Sequence, residues 1–486
     1  MNRISPDVAK PLFWSTASSL GTQALSFLTF AILARLLGAP AFGLVAMAAL
    51  VIDLLLTLST IGMNEAVVQR RSLTEEDADT AFWANLACGL LCCVVTVAAA
   101  PLLARLFDQP ELAPIVAALA SIFAITPLGT IHTARLQREL RFRSVAARSL
   151  AASLAGALVG LPLALAGFGA WALVGQRIGA SAAMAVSAWI STGWMPRPRF
   201  KCAACRDMMR FGVHLGIAGT LNQINIRSAE VISGILVGPA AVAFIRAGSR
   251  IVEVLNQVTY APFQQIALPV LARTAHDLQA MRTTYLRMSR LSAFVMFPAF
   301  FGTLALSRQV VDLVFGPGWE PVADAIRIFA CAVVPSQMNT LVVAAIASAG
   351  ESRTVLAWTS TQIVLGLAAA AAVHDWGWQA MLMTGVVRGY LVLPYGLYLL
   401  RKRLEIPFRD VFASLRPALT SSALMVVLIL ACVRTSEASI SPLGIIAFAL
   451  PSGVVTYVGS YIWQDPAILV QARDMLRSRL CRNAPR

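Results

Sequence analysis

The stretches LLGAPAFGLVAMAALVIDLL (36–55) and LVGPAAVAFIRAGSRIVEVL (236–255) align without a gap, and this match decides how the chain is organised. Gly38 falls on Gly238, and an acidic residue occupies the same position near the end of both stretches. Further short matches follow in the same order along the chain, at a slightly larger offset. A shared order of matches predicts a duplicated chain, in which two halves have the same fold.

Composition places this duplicated chain in a membrane. Hydrophobic residues make up 58% of it and charged residues 13%, with a mean hydropathy of +0.72. A soluble protein carries about 25% charged residues. About 14 apolar segments, from 13–37 to 442–463, have the roughly 20 residues that a membrane-crossing helix needs. The sequence therefore predicts an all-α, polytopic membrane protein of about 14 transmembrane helices.

Basic residues set the predicted orientation. Most of the 39 Lys and Arg residues lie at the N-terminus, in the even-numbered loops and at the C-terminus. Because cytoplasmic loops carry the excess of Lys and Arg, both termini are predicted to be cytoplasmic. MNRISPDVAK (1–10) is too short and polar for a signal peptide, so the first span is expected to serve as the targeting signal. The sequence pI of 10.2 then reflects loop arginine rather than nucleic-acid binding.

The repeat predicts three regions. Residues 1–200 and 201–410 are each expected to form a six-helix bundle, and 411–486 an appended helix pair with a basic cytoplasmic tail. Because six spans return the chain to the same side, the repeat is parallel, with its pseudo-two-fold axis along the membrane normal. Two such bundles would enclose a central cavity and work by alternating access.

Charged residues inside the predicted spans are the candidate functional residues. A charge near the middle of a bilayer costs about 2.5–3.5 kcal/mol, so these side chains should face protein or water. The arginines are Arg177, Arg227, Arg246, Arg250, Arg327 and Arg388, and the acids are Asp53, Glu230 and Glu253.

Two interpretations of these charges remain open. The first is structural: Glu230 would pair with Arg246, and Arg250 with Asp53 or Glu253. The second is functional: the excess of arginine would make the cavity basic and suited to a phosphate-bearing cargo, which guanidinium groups bind well. The predicted substrate-binding residues are Arg227, Arg246, Arg250 and Arg388. The predicted coupling or structural acids are Asp53, Glu253 and Glu230. No catalytic residue, metal site or cofactor is predicted, and Cys202 and Cys205 lack a second pair to complete a zinc site.

The sequence also resembles a known family, the polysaccharide-export (Wzx-type) flippases of the multidrug/oligosaccharidyl-lipid/polysaccharide exporter superfamily. The resemblance covers about residues 10–410. It rests on LARLLGAPAFGLVAMA (33–48), GMNEAVVQR (62–70), LQRELRFRSVA (136–146) and ALPVLAR (267–273).

The resemblance implies movement of undecaprenyl-diphosphate-linked oligosaccharide repeat units across the bacterial inner membrane, for lipopolysaccharide or exopolysaccharide synthesis. It also implies proton or sodium coupling, as in some members. The prenyl chain is expected to stay in lipid, against the last two spans. Polysaccharide polymerase and export proteins are the expected partners, with no role for nucleic acid.

Two alternatives are kept. A cation-coupled multidrug exporter of the same superfamily would need an acidic cavity. A membrane glycosyltransferase or polymerase would need a large extramembrane loop with clustered acids. The charge count argues against the first and the short predicted loops against the second, so the chain is predicted not to be an enzyme.

Overall fold

The computed structural model describes residues 6–59, 63–64, 67, 70, 73–139, 141–274, 276–436 and 441–466. Within these ranges, all elements of regular secondary structure are helices, and none of the described residues is in a strand. The predicted all-α class is therefore confirmed. The basic tail after Pro466 and most of the stretch 62–70 lie outside the described residues.

Met1–Arg246 forms one compact unit. Its helices are α1 (Pro6–Ser59), α2 (Glu75–Leu106), α3 (Leu112–Leu119), α4 (Ser121–Arg138), α5 (Phe142–Leu165), α6 (Ala170–Thr192) and α7 (Cys202–Leu236), followed by the first part of α8 (Pro239–Thr259). Helix α1 packs along α5, α6 and α7, and α5 packs closely on α6.

Ala247–Arg486 forms the second unit. After the end of α8 come α9 (Ala261–Arg273), α10 (Leu278–Ala305), α11 (Ser307–Val314), α12 (Val322–Cys331), α13 (Val333–Ser348), α14 (Ser352–Ala372), a 3-10 turn (His374–Trp376), α15 (Gly377–Leu404), α16 (Phe408–Ser436) and α17 (Pro442–Gln464). Helix α16 packs on α10 and α17, and α13 packs on α15. The division between units lies inside α8, and the predicted boundaries at 200 and 410 stay predictions.

Membrane-crossing helices are identified by length and hydropathy. Eight helices in the described part of the chain are long and apolar enough to cross a bilayer, and α12 with α13, bent by 41°, would form a ninth. The chain is a multi-pass membrane protein. Helix α8 is not among the eight, because Arg246, Arg250 and Glu253 put three charges into its 21 residues. The number of 14 spans stays a prediction.

The predicted repeat appears as matching chain breaks. Helix α1 is interrupted at Gly38, and α8 begins directly after Gly238; their φ angles are 72° and 106°. Gly169 and Gly377, which match at an offset of 208, have φ of 56° and 85° at the starts of α6 and α15. Residues with a Cβ rarely adopt this left-handed backbone, so glycine is needed there. Equivalent positions in the two halves therefore break the helix in a similar way.

A close contact brings the repeat-related helices α1 and α8 together. A Cβ added at Gly43 would lie 1.9 Å from the carbonyl oxygen of Pro239, far inside van der Waals contact. Only glycine allows this approach of helix backbones, a use of small residues that is common in membranes. The contact brings α1 and the start of α8 together, and Asp53 and Arg246 follow it on these two helices.

Candidate functional site

The carboxylate of Asp53, in the second part of α1, is held by the guanidinium of Arg177 on α6. Each Asp53 oxygen accepts a hydrogen bond from a different Arg177 nitrogen, both at 3.3 Å. This two-point geometry is the one that the planar guanidinium fork favours. The Asp53 side chain is 25% exposed and that of Arg177 30%, so this end of the site is partly open.

Arg246 on α8 bridges two acids from different helices. Its Nη2 lies 3.4 Å from Asp53 Oδ2, and its Nη1 lies 3.3 Å from Glu230 Oε2 on α7. One guanidinium therefore ties α1 and α7 to α8. Sequence reasoning paired Arg246 with Glu230, and the structure adds Asp53 as a second partner.

Arg227 closes the other end of the arrangement. Its Nη1 donates to both oxygens of Glu230, at 3.1 and 3.2 Å, from one turn earlier on α7. Glu230 is only 6% exposed, which makes it the most buried member. The Nε of Arg227 is also buried, and among the described residues it has no hydrogen-bond partner.

Together these side chains form a continuous series of ion pairs, which we name the charge chain. Its members in order are Arg177, Asp53, Arg246, Glu230 and Arg227. Three cations alternate with two anions, so the set is positive by one charge. All five lie in the first unit, and they come from four helices.

The excess positive charge of the charge chain matters because its side chains are largely removed from water. Removing ions from water costs several kcal/mol each, and pairing repays this only if every charge finds a partner. In the charge chain two carboxylates serve three guanidinium groups, so the cations share their counter-ions. Because the Asp53–Arg177 end is the more exposed, an anion from solution would reach that end first.

Arg250 and Glu253 lie further along α8, in the second unit. Arg250 Nη1 donates to Glu253 Oε2 at 3.2 Å, three residues away on the same helix. Of the two acids predicted for Arg250, the structure brings Glu253 to it. Among the described residues, Asp53 forms ion pairs with Arg177 and Arg246.

Arg388 on α15 lies apart from both groups of charges in sequence and borders a pocket of about 100 Å³ in the second unit, whose lining mixes apolar and polar side chains. Its Nη1 donates to the backbone carbonyl of Gln362 on α14, at 2.7 Å. Across the pocket, Asn339 Oδ1 accepts hydrogen bonds from Trp358 Nε1 at 2.8 Å and from Gln362 Nε2 at 3.1 Å. The pocket therefore combines a cation, carboxamides and an aromatic ring.

Sequence reasoning did not assign Arg177, Trp358 or Asn339 to a site. Arg177 carried a signal, since an arginine within an apolar span needs a partner. Nothing in the sequence indicated that this partner is Asp53, because the two residues are 124 positions apart. Trp358 and Asn339 carried no comparable signal, because indole and amide groups are tolerated in many membrane helices.

The sequence is similar to a known protein family and to several individual proteins. A family described as "Polysaccharide biosynthesis protein" matches residues 32–324. The "Succinoglycan biosynthesis transport protein ExoT" of Rhizobium meliloti (strain 1021) is 24% identical over 98% of this chain and 97% of its own length. The "Lipopolysaccharide biosynthesis protein WzxC" of Escherichia coli (strain K12) is 22% identical over 65% of this chain and 64% of its own.

Solved structures give the fold. A structure titled "Lipid II flippase MurJ, inward closed conformation" superposes with a TM-score of 0.76 at 11% identity, over 94% of this chain and 99% of that one. An inward-facing multidrug resistance MATE family transporter of the MOP superfamily superposes with a TM-score of 0.56 at 16% identity, over 80% of this chain and 94% of that one. At such low identities, the likeness shows a shared fold and not a shared substrate.

Proposed function

The chain belongs to the polysaccharide biosynthesis protein family, and from this premise we propose that it is a flippase for lipid-linked oligosaccharides. It would move undecaprenyl-diphosphate-linked repeat units from the cytoplasmic to the periplasmic leaflet of a bacterial inner membrane, by alternating access. Relatives named for succinoglycan transport and lipopolysaccharide biosynthesis support this proposal, as does the fold shared with a lipid II flippase.

The charge chain is the observation that carries the proposal. A diphosphate has several anionic oxygens, and paired guanidinium forks are the side-chain groups that match it best. Three arginines already held within reach of two carboxylates form a site that needs little rearrangement. An incoming diphosphate would replace carboxylate oxygens as the acceptor, so the arginines remain paired throughout.

Each member of the charge chain then has a role. Arg177, Arg227 and Arg246 would bind the diphosphate, whereas Arg250 and Arg388, which lie in the second unit, stay predicted substrate-binding residues. Asp53 and Glu230 would hold the arginines in place when no cargo is bound. A carboxylate displaced by the cargo would be free to take up a proton or a sodium ion, which gives a simple route to the predicted coupling.

Charge sign separates this proposal from the exporter alternative. A site for cationic drugs needs an excess of carboxylates, whereas the charge chain has an excess of guanidinium groups. Both termini in the cytoplasm, with a polymerase and export proteins as partners, complete the proposal.

A deletion strain tests the function directly. Without the protein, lipid-linked repeat units should accumulate in the cytoplasmic leaflet, and surface polymer should disappear. Normal surface polymer in the deletion strain would refute the flippase assignment.

Variants then test the charge chain. Arg246→Gln should reduce export about a hundredfold, corresponding to about 2.7 kcal/mol, because one side chain serves both acids. Arg246→Lys should restore only part of it, since lysine lacks the fork. The matched control is Arg434→Gln, at an exposed position near the end of α16, which should export normally at equal protein levels.

A further inference from the structure

An apolar groove runs between α14 and α15 in the second unit. Its volume is about 480 Å³, and apart from Thr384 and Arg388 its lining is hydrophobic. The lining positions recur every three or four residues, so each helix presents one face. On α14 and directly after its end they are Leu365, Ala369, Ala372 and Val373; on α15 they include Ala380, Met383, Val387 and Leu391. Several of these side chains are exposed, so the groove opens to the protein surface.

Arg388 connects this groove with the smaller pocket described above. It lines both cavities, together with Val392 on the next turn of α15. Arg388 therefore lines both the apolar groove and a pocket that contains carboxamide and indole groups. Burying an arginine beside an apolar groove is costly in a membrane, and such residues usually mark a functional site.

The position of the guanidinium depends on a glycine. A Cβ at Gly366 would lie 1.9 Å from Arg388 Nη1 and 2.9 Å from its Cζ. The missing side chain lets Arg388 cross the face of α14 and reach the Gln362 carbonyl. The arginine is thus fitted into the helix pair at one place rather than extending freely.

On the basis of the proposed function, we propose that the groove and the Arg388 pocket form a second site, within the second unit, for the substrate's carrier lipid. The prenyl chain lies in the groove, its phosphate contacts Arg388, and the attached sugar faces the pocket of Asn339, Gln362 and Trp358. This proposal places the prenyl chain against α14 and α15. The sequence, by contrast, predicts that it lies against the last two spans, α16 and α17.

Charge and shape together select this occupant. An uncharged hydrocarbon would fill the groove but gain nothing from Arg388, and a free sugar phosphate would gain nothing from the groove. A phosphate placed between an apolar chain and a sugar matches all three surfaces in the order in which they occur. Carboxamides and aromatic rings are also the usual contacts of a sugar, through hydroxyl hydrogen bonds and ring stacking.

Photo-crosslinking tests the assignment. The full-length protein in lipid nanodiscs would be labelled with a prenyl phosphate carrying a benzophenone on its chain, and the labelled peptides identified by mass spectrometry. We expect labels on α14 and α15. Labels confined to α16 and α17 would overturn the proposal, and this measurement needs no variant.

Variants sharpen the test. Ala369→Trp should fill the groove, and Arg388→Gln should remove the charge; each should reduce labelling about tenfold, which corresponds to about 1.4 kcal/mol. Ala423→Trp, at an exposed position on α16, is the matched control and should label as the wild type does. Unchanged labelling of a folded Ala369→Trp variant would contradict the proposal.

Competition distinguishes the lipid source. Unlabelled prenyl phosphate should compete at least about tenfold better than prenyl alcohol, because only the former pairs with Arg388. Equal competition by phosphatidylglycerol would show a general site for anionic lipid and overturn the assignment to the carrier. Suppose that Arg246→Gln abolishes export but Ala369→Trp leaves the lipid labelling unchanged. That outcome would reject the groove site alone and leave the proposed function in place. Normal surface polymer in the deletion strain would instead reject the proposed function.

Discussion

Asp53 and Glu253 occupy equivalent positions in the two repeats, yet they are paired in opposite ways. Asp53 on α1 contacts arginines on two other helices, Arg177 on α6 and Arg246 on α8. Glu253 contacts Arg250, three residues earlier on its own helix. Both positions hold an acid, and in the part of the chain that the structure describes, the ion pairs of Asp53 join separate helices while that of Glu253 lies within one helix.

The difference has a counterpart in the arginines of the two repeats. Arg246 and Arg250 have no cationic counterparts on α1, where the equivalent residues are Ala46 and Leu50. Of these two cations, Arg246 pairs with Asp53, the acid of the other repeat, and Arg250 pairs with Glu253 on its own helix. The two ion pairs of Asp53 connect three helices, whereas the ion pair of Arg250 and Glu253 lies within one turn of a single helix.

Asp53→Asn should cause the largest loss of stability. It removes the acid shared by Arg177 and Arg246, and breaking a buried pair of this kind costs about 3 kcal/mol. Thermal unfolding of the purified protein in detergent would measure the loss. A control is Asp53→Glu, which keeps the negative charge for both arginines and should retain more of the stability than Asp53→Asn does. Wild-type stability of Asp53→Asn would mean that the pairs contribute nothing.

Gly43→Ala should have the next largest effect. The added methyl group would meet the Pro239 backbone at 1.9 Å, and overpacking of this kind costs about 1–3 kcal/mol. The same unfolding measurement applies, and export should fall in parallel because α1 and α8 separate. Gly21→Ala, on the same helix with open space around it, is the matched control and should be neutral or slightly stabilising. Equal effects of the two substitutions would exclude the close contact as the cause.

Glu253→Gln should have the smallest effect. The Glu253 side chain is 45% exposed, and pairs within a helix contribute about 0.3–0.5 kcal/mol. The free energy of unfolding should therefore fall by less than it does in Asp53→Asn or in Gly43→Ala. A loss of stability as large as that of Asp53→Asn would show that Glu253 also connects helices.

Much of this architecture could be predicted from the amino-acid sequence. Hydropathy indicated the helices, the offset of 200 indicated the repeat, and the cost of buried charge singled out the residues of the site. The family resemblance is confirmed by the match over residues 32–324. These features depend on local composition and on spacing along the chain, which a sequence displays directly.

The partners within the site could not be predicted in the same way. Which arginine meets Asp53 depends on how α6 and α8 cross α1 and how each helix is rotated about its axis. Gly43 decides part of that crossing, but its role becomes visible only when Pro239 is seen against it. The pocket at Arg388 likewise depends on Gly366, which has no special pattern in the sequence.

The unbalanced positive charge of the charge chain has an electrical consequence. Under the proposed function, the five members of the charge chain carry one net positive charge when no cargo is bound, and a bound diphosphate would make the set negative. Moving one elementary charge through a membrane potential of 100 mV changes the free energy by about 2.3 kcal/mol. If the site changes its accessibility across that potential, the loaded and the empty steps are pushed in opposite directions. An interior-negative potential should therefore drive the anion outward and the empty site back, so that each half of the transport cycle is favoured by the same voltage.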